Sequence, residues 1–370
     1  MATMKDVALR AGVSVTTVSH VVNGTRHVSD GVRRRVERVM DDLGYRPNVL
    51  ARGLRRGEAT LLGLVVPDAT NPYFAEIARA VADACADEGY AVIVCNSDGR
   101  RDREKRAVEV LASNRVGGIF LVNVGVTERD AALFEGLDIP LVMLDREIPG
   151  IAVDSIQIDN AHGGCQATEH LLALGHRRIA CIAGPSQVSP SADRVTGYRQ
   201  ALEASGIAFD PGLVLRGDFT PPSGYICARQ LMVREERPTA IFACNDLMAF
   251  GAITALAEAG VSVPGDISVV GFDDIPLAAY FNPPLTTVAQ PRVEMGRTAA
   301  RLLLERMRDG TLPRRRPVLM NTTLVVRRSS GAPGGKGPFV AEGALSGSRG
   351  GCHVDGGPRG RRYSEDQQGR

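Results

Sequence analysis

From residue 61 to residue 326 short apolar runs alternate with amphipathic stretches, and this alternation limits the fold more than any other feature of the chain. The apolar runs cover 61–66, 91–95, 118–122, 141–144, 179–183, 213–215, 240–244, 267–270 and 322–326. Helical periodicity fills the gaps, over about 73–88, 102–113, 163–174, 192–205, 223–235, 247–259 and 294–308. Runs of three to six apolar residues suit fully buried strands, and strands separated by helices pair in parallel because each helix is a crossover. About 270 residues exceed one such core, so the expected fold is α/β with two doubly wound parallel-sheet lobes. The N-lobe is placed at about 61–159 and 291–320, and the C-lobe at about 160–290 and 321–330.

The first sixty residues read differently. In MKDVALRAGVSVTTVSHVVN, Val7, Ala8 and Ala11 form one apolar stripe and Val18, Val21 and Val22 another, with Gly12 at the turn and Ser14 placed to cap the second helix. A third helix is expected from Ser29 to Gly44, closing a three-helix core over 1–46. The outer face of helix two carries Val15, Thr16, Thr17, Ser19, His20 and Asn23, with no acid to repel phosphate. In a helix-turn-helix that helix enters the major groove, and Val15, Thr16 and His20 approach the base edges. Charge supports the reading. Residues 1–60 hold eleven Lys and Arg against six Asp and Glu, 331–370 hold six against four, and 61–330 are left five negative. A basic module on an acidic body is the footprint of a nucleic-acid-binding piece joined to a body with another task. Within a linker over 47–60, residues 49–56 form a two-turn helical pattern after Pro47, interrupted by Gly53 and too short to persist alone in water.

Open α/β sheets bind ligands beyond the carboxyl ends of their strands. The residues there are Asn71, Tyr73 and Phe74, then Asp145 and Arg146, Asn245 and Asp246, and Asp273 and Asp274, with loops near Arg194, Phe219 and Gln290 placed to join them. Carboxylates, amides and aromatic rings together suit a polyhydroxylated ring, whereas Asp246 or Asp274 alone reads as a helix cap. The chain has no dinucleotide-binding glycine motif, phosphate-binding loop, nucleophile elbow or zincin helix, and its six histidines lack metal-ligand spacing. No enzyme activity, metal or cofactor is therefore expected. Seven scattered cysteines without CxxC spacing read as reduced. No run of about 18 apolar residues spans a membrane and no signal-peptide order opens the chain, so the expected location is the cytoplasm. Residues 331–370, with twelve glycines in forty, are expected to be a disordered tail.

The segments MKDVALRAGVSVTTVSHVVNG, YRPNVLARGL, TNPYFAEI, LALGHRRIACIAGP, FACNDLMAFGA, VVGFDD, PPLTTVAQP and LVVRRSSG resemble the lactose-repressor (LacI) family of bacterial transcription regulators over residues 1 to about 330. The resemblance implies a helix-turn-helix headpiece, a hinge helix at 47–60 and a periplasmic-binding-protein-like sensor core. It implies a repressor that binds a pseudo-palindromic operator in double-stranded DNA as a homodimer and answers to a small sugar, a pentose or similar. It also implies that Leu54 wedges into the minor groove, with Arg55 beside it, and that Asn71, Phe74, Asp145, Arg146, Arg194, Asn245, Asp273 and Gln290 hold the ligand, joined by Tyr73 and Phe219. The alternative is a sugar-binding receptor or transport component without DNA function, against which the basic headpiece argues.

Overall fold

The computed structural model describes residues 2–23, 26–45, 60–122, 139–145, 153–186, 188–309 and 316–334. The expected hinge, including Leu54 and Arg55, lies outside them, as do Arg146, the side chain of Asn23 and residues 335–370.

Three helices form the headpiece: α1 (Met4–Ala11), α2 (Val15–Asn23) and α3 (Asp30–Asp42). Thr3 and Asp6 close a capping box on α1, the Thr3 amide donating to Asp6 Oδ2 at 2.8 Å and the Asp6 amide to Thr3 Oγ1 at 3.3 Å. Gly12 takes a left-handed φ of 63°, and Ser14 Oγ accepts from the Thr17 amide at 3.0 Å to start α2. Val7, Ala8, Ala11, Val18, Val36 and Val39 make the headpiece core, as the stripes require. Ser29 precedes α3 without a side-chain capping bond, unlike Ser14.

The first sheet has the order β11-β5-β4-β3-β1-β2 and is parallel throughout. Its strands are β1 (Leu61–Val66), β2 (Ala91–Asn96), β3 (Ile119–Val122), β4 (Leu141–Leu144), β5 (Asp154–Ile158) and β11 (Pro317–Met320). The second has the order β12-β10-β9-β8-β6-β7, parallel except where β12 (Thr323–Val325) runs against β10 (Thr286–Ala289). Its remaining strands are β6 (Ile179–Ala183), β7 (Val214–Arg216), β8 (Ala240–Ala243) and β9 (Ser268–Asp273). The two orders are the same topology used twice, and each reverses direction at its first strand, which opens a crevice there. Helices α4 (Pro72–Ala86), α5 (Arg101–Ser113) and α10 (Arg292–Arg308) pack on the first sheet; α6 (Asn160–Ala173), α7 (Ser189–Ala204), α8 (Pro221–Met232) and α9 (Asp246–Glu258) belong with the second. The chain passes between sheets after Ile158, after Ala289 and after Met320.

The strands that sequence reading omitted are β5, β10 and β11, and in β5 and β10 the apolar pattern is broken by polar groups with partners. Asp154 opens β5 fully buried, and its carboxylate accepts from Arg306 at 2.9 Å and from Arg316 at 2.7 Å. Burial alone would raise its pKa, but the two guanidiniums hold it below the ordinary value.

In the C-lobe, helices approach so closely that only glycine fits. A Cβ on Gly197 of α7 would overlap the Ala161 carbonyl oxygen, and one on Gly164 of α6 the Arg194 carbonyl oxygen. Gly224 of α8 and Gly251 of α9 are locked in the same reciprocal way against Met248 and Pro221. Because the obstacle is backbone, Gly197→Ala is expected to destabilise the protein by about 1–3 kcal/mol in urea unfolding. An unchanged midpoint would mean that the pair separates without cost.

Candidate functional site

Both topological reversals face one cavity of about 490 Å³, whose lining comes from the two sheets alike. The N-lobe contributes Asn71, Tyr73, Phe74 and Asp145, and the C-lobe Arg194, Phe219, Asn245 and Asp273. Each is held by its local fold. Asn71 caps α4, its side chain accepting from the Tyr73 amide at 3.0 Å. Asn245 caps α9 by accepting from the Met248 amide at 2.9 Å and donates from Nδ2 to the Phe219 carbonyl at 3.0 Å. Asp145, Phe219 and Asp273 all take left-handed backbone angles, with φ of 67°, 70° and 112°, which turns side chains at the ends of β4, β7 and β9 into the crevice. The Phe219 ring lies directly on Gly184, where a Cβ would occupy its place.

A buried polar chain links the lobes. The Tyr73 hydroxyl donates to Gln290 Oε1 at 2.9 Å, with Asp145 Oδ1 at 3.3 Å, and Gln290 Nε2 donates to Asp273 Oδ1 at 2.7 Å. Gln290 does not line the cavity; it stands behind it, on the segment that crosses between lobes. Burial and the Asp145 charge push the Tyr73 phenol well above its ordinary pKa, so it remains a donor. Arg194 supplies the buried positive charge. Its Nε donates to Asn160 Oδ1 at 2.8 Å and its NH1 to the Cys244 carbonyl at 2.5 Å, while the guanidinium lies 3.7 Å over the Phe272 ring and 3.7 Å from Asp273 Oδ1. Burial raises the Asp273 pKa to about 6 in spite of Arg194, so this carboxylate titrates just below neutrality. Arg292, at the start of α10, ties Glu76 of α4 to the carbonyls of Asp273 and Asp274.

Two aspartates that read as caps do other work. Asp246 is fully buried and accepts from Thr287 Oγ1 at 2.5 Å and from the Ile275 amide at 2.8 Å, so it joins α9 to the adjacent strand ends. Asp274 pairs with Arg327 at 2.7 Å. Sequence reading also missed Asp68, Asp98 and Asp218, which line the cavity. Asp98 and Asp218 follow β2 and β7, and the strand-end rule applied to those two edges would have found them.

On the headpiece, Val15 is 42% exposed and Thr16 is exposed, so an apolar and a hydroxyl group face outward from the first turn of α2. Thr17 is half-buried, its hydroxyl 2.8 Å from Ser14 Oγ, and His20 is half-buried further along the helix. Among the described residues no cluster of His, Cys, Asp and Glu has the form of a metal site, and no helix is long and apolar enough to cross a membrane.

Comparison with known proteins matches residues 3–48 to the lacI family of bacterial regulatory proteins and residues 168–330 to a periplasmic binding protein-like domain. The "HTH-type transcriptional repressor PurR" of Photobacterium profundum is 40% identical over 89% of this chain and 98% of its own length. The chain belongs to the LacI family. The "Ribose operon repressor" of Escherichia coli K12 is 39% identical over 89% of this chain and 100% of its own. A crystal structure of the lac repressor dimer bound to operator and the anti-inducer ONPF superposes with a TM-score of 0.79 at 33% identity, over 90% of this chain and 99% of that one. This LacI-family chain is accordingly a DNA-binding transcriptional regulator with a ligand-binding core, and not an enzyme. PurR and the ribose operon repressor differ by one percentage point in identity to this chain, so identity alone does not choose between them.

Proposed function

We propose that this LacI-family regulator is a sugar-responsive repressor that binds a pseudo-palindromic operator as a homodimer in the cytoplasm. Residues 1–46 form the DNA-binding headpiece, 47–60 the hinge, 61–330 the sensor and 331–370 the tail. Val15, Thr16, Thr17, His20 and Asn23 contact the major groove, and Leu54 with Arg55 engages the minor groove, where an apolar wedge unstacks a base step. Asn71, Tyr73, Phe74, Asp145, Arg146, Arg194, Phe219, Asn245, Asp273 and Gln290 hold or orient a pentose or similar sugar.

The observation that carries this reading is the chain Tyr73–Gln290–Asp273, which ends on each side at the same cleft and passes through the inter-lobe crossing. A ligand hydroxyl bound to Asp145 or Asp273 bears on contacts between lobes, and it shifts DNA affinity by as much as its affinity differs between the two lobe arrangements. Acceptors dominate the lining and the rings of Phe74 and Phe219 come from opposite lobes, which favours a ring with several hydroxyls and apolar C–H faces.

Gel shifts of the full chain on fragments from beside its own gene, with and without ribose, test the proposal. Ribose is expected to change operator affinity. Leu54→Ala is expected to weaken specific binding roughly tenfold to over a hundredfold, about the 1.5–3 kcal/mol of one buried leucine, and to reduce DNA bending. Unchanged bending and affinity would refute the wedge, and a response to hypoxanthine without any response to sugars would refute the effector class.

A further inference from the structure

The cleft carries a charge pattern that restricts its ligand further. Five carboxylates line it, those of Asp68, Asp98, Asp145, Asp218 and Asp273, against a single cation among the described lining residues, Arg194. The Arg103 charge offsets that of Asp98. Arg194 is 4% exposed and already engaged with Asn160, Cys244, Phe272 and Asp273. Even with the sequence neighbour Arg146 counted beside it, the lining keeps two negative charges in excess.

Helix N-termini are the usual compensation for an anion, and four of the described helices, α4, α7, α8 and α9, start at this cleft. Caps and prolines already use part of each first turn, and Pro221 and Pro222 leave the first two positions of α8 without an N–H. Asn71 and Asn245 cap α4 and α9, as described. At α7, Pro190 has no N–H to offer, and the amides of Ser191 and Ala192 both donate to the Val188 carbonyl. Asp68 and Asp218, one from each lobe, build matching Asp-X-Thr turns. Asp68 Oδ1 accepts from the amide and hydroxyl of Thr70 at 2.8 and 2.6 Å, and Asp218 Oδ1 from those of Thr220 at 3.0 and 2.5 Å. The second oxygen of each carboxylate has no hydrogen bond among the described residues. Burial opposes ionisation of Asp218, but the hydrogen bonds from Thr220 hold the carboxyl below its ordinary pKa, and it stays an anion.

We propose that the cleft selects an uncharged polyol over its phosphate or carboxylate derivative, and that Asp68 and Asp218, facing it from opposite lobes, impose this selection. Closing the lobes on a phosphate dianion would bring two fixed anions against it, whereas a sugar hydroxyl can donate to either. The inference refines the sugar reading and rests on it for the choice of probes.

Calorimetry on the full chain with ribose and ribose 5-phosphate, glucose and glucose 6-phosphate, and inorganic phosphate tests it. For whichever sugar binds, its ester is expected to bind roughly a hundredfold more weakly. Asp68→Asn with Asp218→Asn preserves the acceptor that each threonine uses and is expected to narrow that ratio about tenfold. An ester that binds as tightly as its parent sugar overturns the selection, and a ratio unchanged in the double variant overturns the assignment to these two residues. If no sugar binds, the sugar reading fails, and inorganic phosphate then decides the charge inference. Phosphate bound by the wild type overturns it, and phosphate bound only by the double variant supports it.

Discussion

Arg194→Ala is expected to lower the unfolding free energy by about 3–5 kcal/mol at neutral pH, the usual cost of leaving one partner of a buried ion pair behind. The side chains of Arg194 and Asp273 are 5% and 7% exposed, so solvent screens little of their interaction. Removing the guanidinium also deprives Asn160 Oδ1 and the Cys244 carbonyl of their donor. The sign of the pH dependence follows from Asp273. Its native pKa, about 6, lies above the ordinary 3.8, so the native state keeps a proton that the unfolded chain has released. The stability this group contributes is complete below about pH 4 and is lost as pH rises through about 6. Without Arg194 the native pKa rises further, and the deficit of Arg194→Ala should be smaller at pH 5 than at pH 7.5. Arg194→Ala with Asp273→Ala should recover part of the loss. Equal deficits at both pH values, together with no recovery in the double variant, would show that the pair contributes packing and no charge.

Asp273→Ala is expected to cost ribose affinity tenfold to over a hundredfold, corresponding to the roughly 1.5–3 kcal/mol of a charged hydrogen bond. Wild-type affinity should fall as the pH drops through about 6, because the protonated carboxyl has lost acceptor capacity, and Asp273→Asn should flatten that profile. If ligand is an inducer, operator binding without it should barely change in these variants. If it is a co-repressor, they should lose ligand-dependent repression. Calorimetry across pH 5–8, with gel shifts alongside, measures both, and normal ribose binding by Asp273→Ala would remove this residue from the ligand contacts.

Where burial is purely apolar, the fold was readable from residue types. Leu61–Val66, Ile119–Val122 and Ile179–Ala183 each form the strands their composition implies, and the headpiece stripes meet as their spacing requires. Burial that depends on a distant polar partner left no such mark. Asp154 opens β5 only because Arg306 and Arg316 neutralise it from about 150 and 160 residues away, and Thr286 and Thr287 are buried in β10 through bonds to Ser330 and Asp246. The site divides along the same line. Residues one step past a strand were found by the strand-end rule, and left-handed turns bring several of them into the cavity. The Tyr73 to Gln290 bond, between residues 217 apart, and the tie from Arg292 to Glu76 follow no local pattern. Asp246 was misread for the same reason, since its partners Thr287 and Ile275 are supplied by other strand ends.

The three passages between sheets also set a timetable for biosynthesis. Each sheet receives an edge strand, β11 or β12, from residues 317–325, so neither lobe is whole until nearly all of the sensor has been made. The headpiece has every residue of its core by Val39. At roughly 5–20 residues per second the ribosome needs about 15–55 s to make the intervening stretch of chain. Throughout that interval a nascent polypeptide can hold a finished reading head with no means of sensing a ligand.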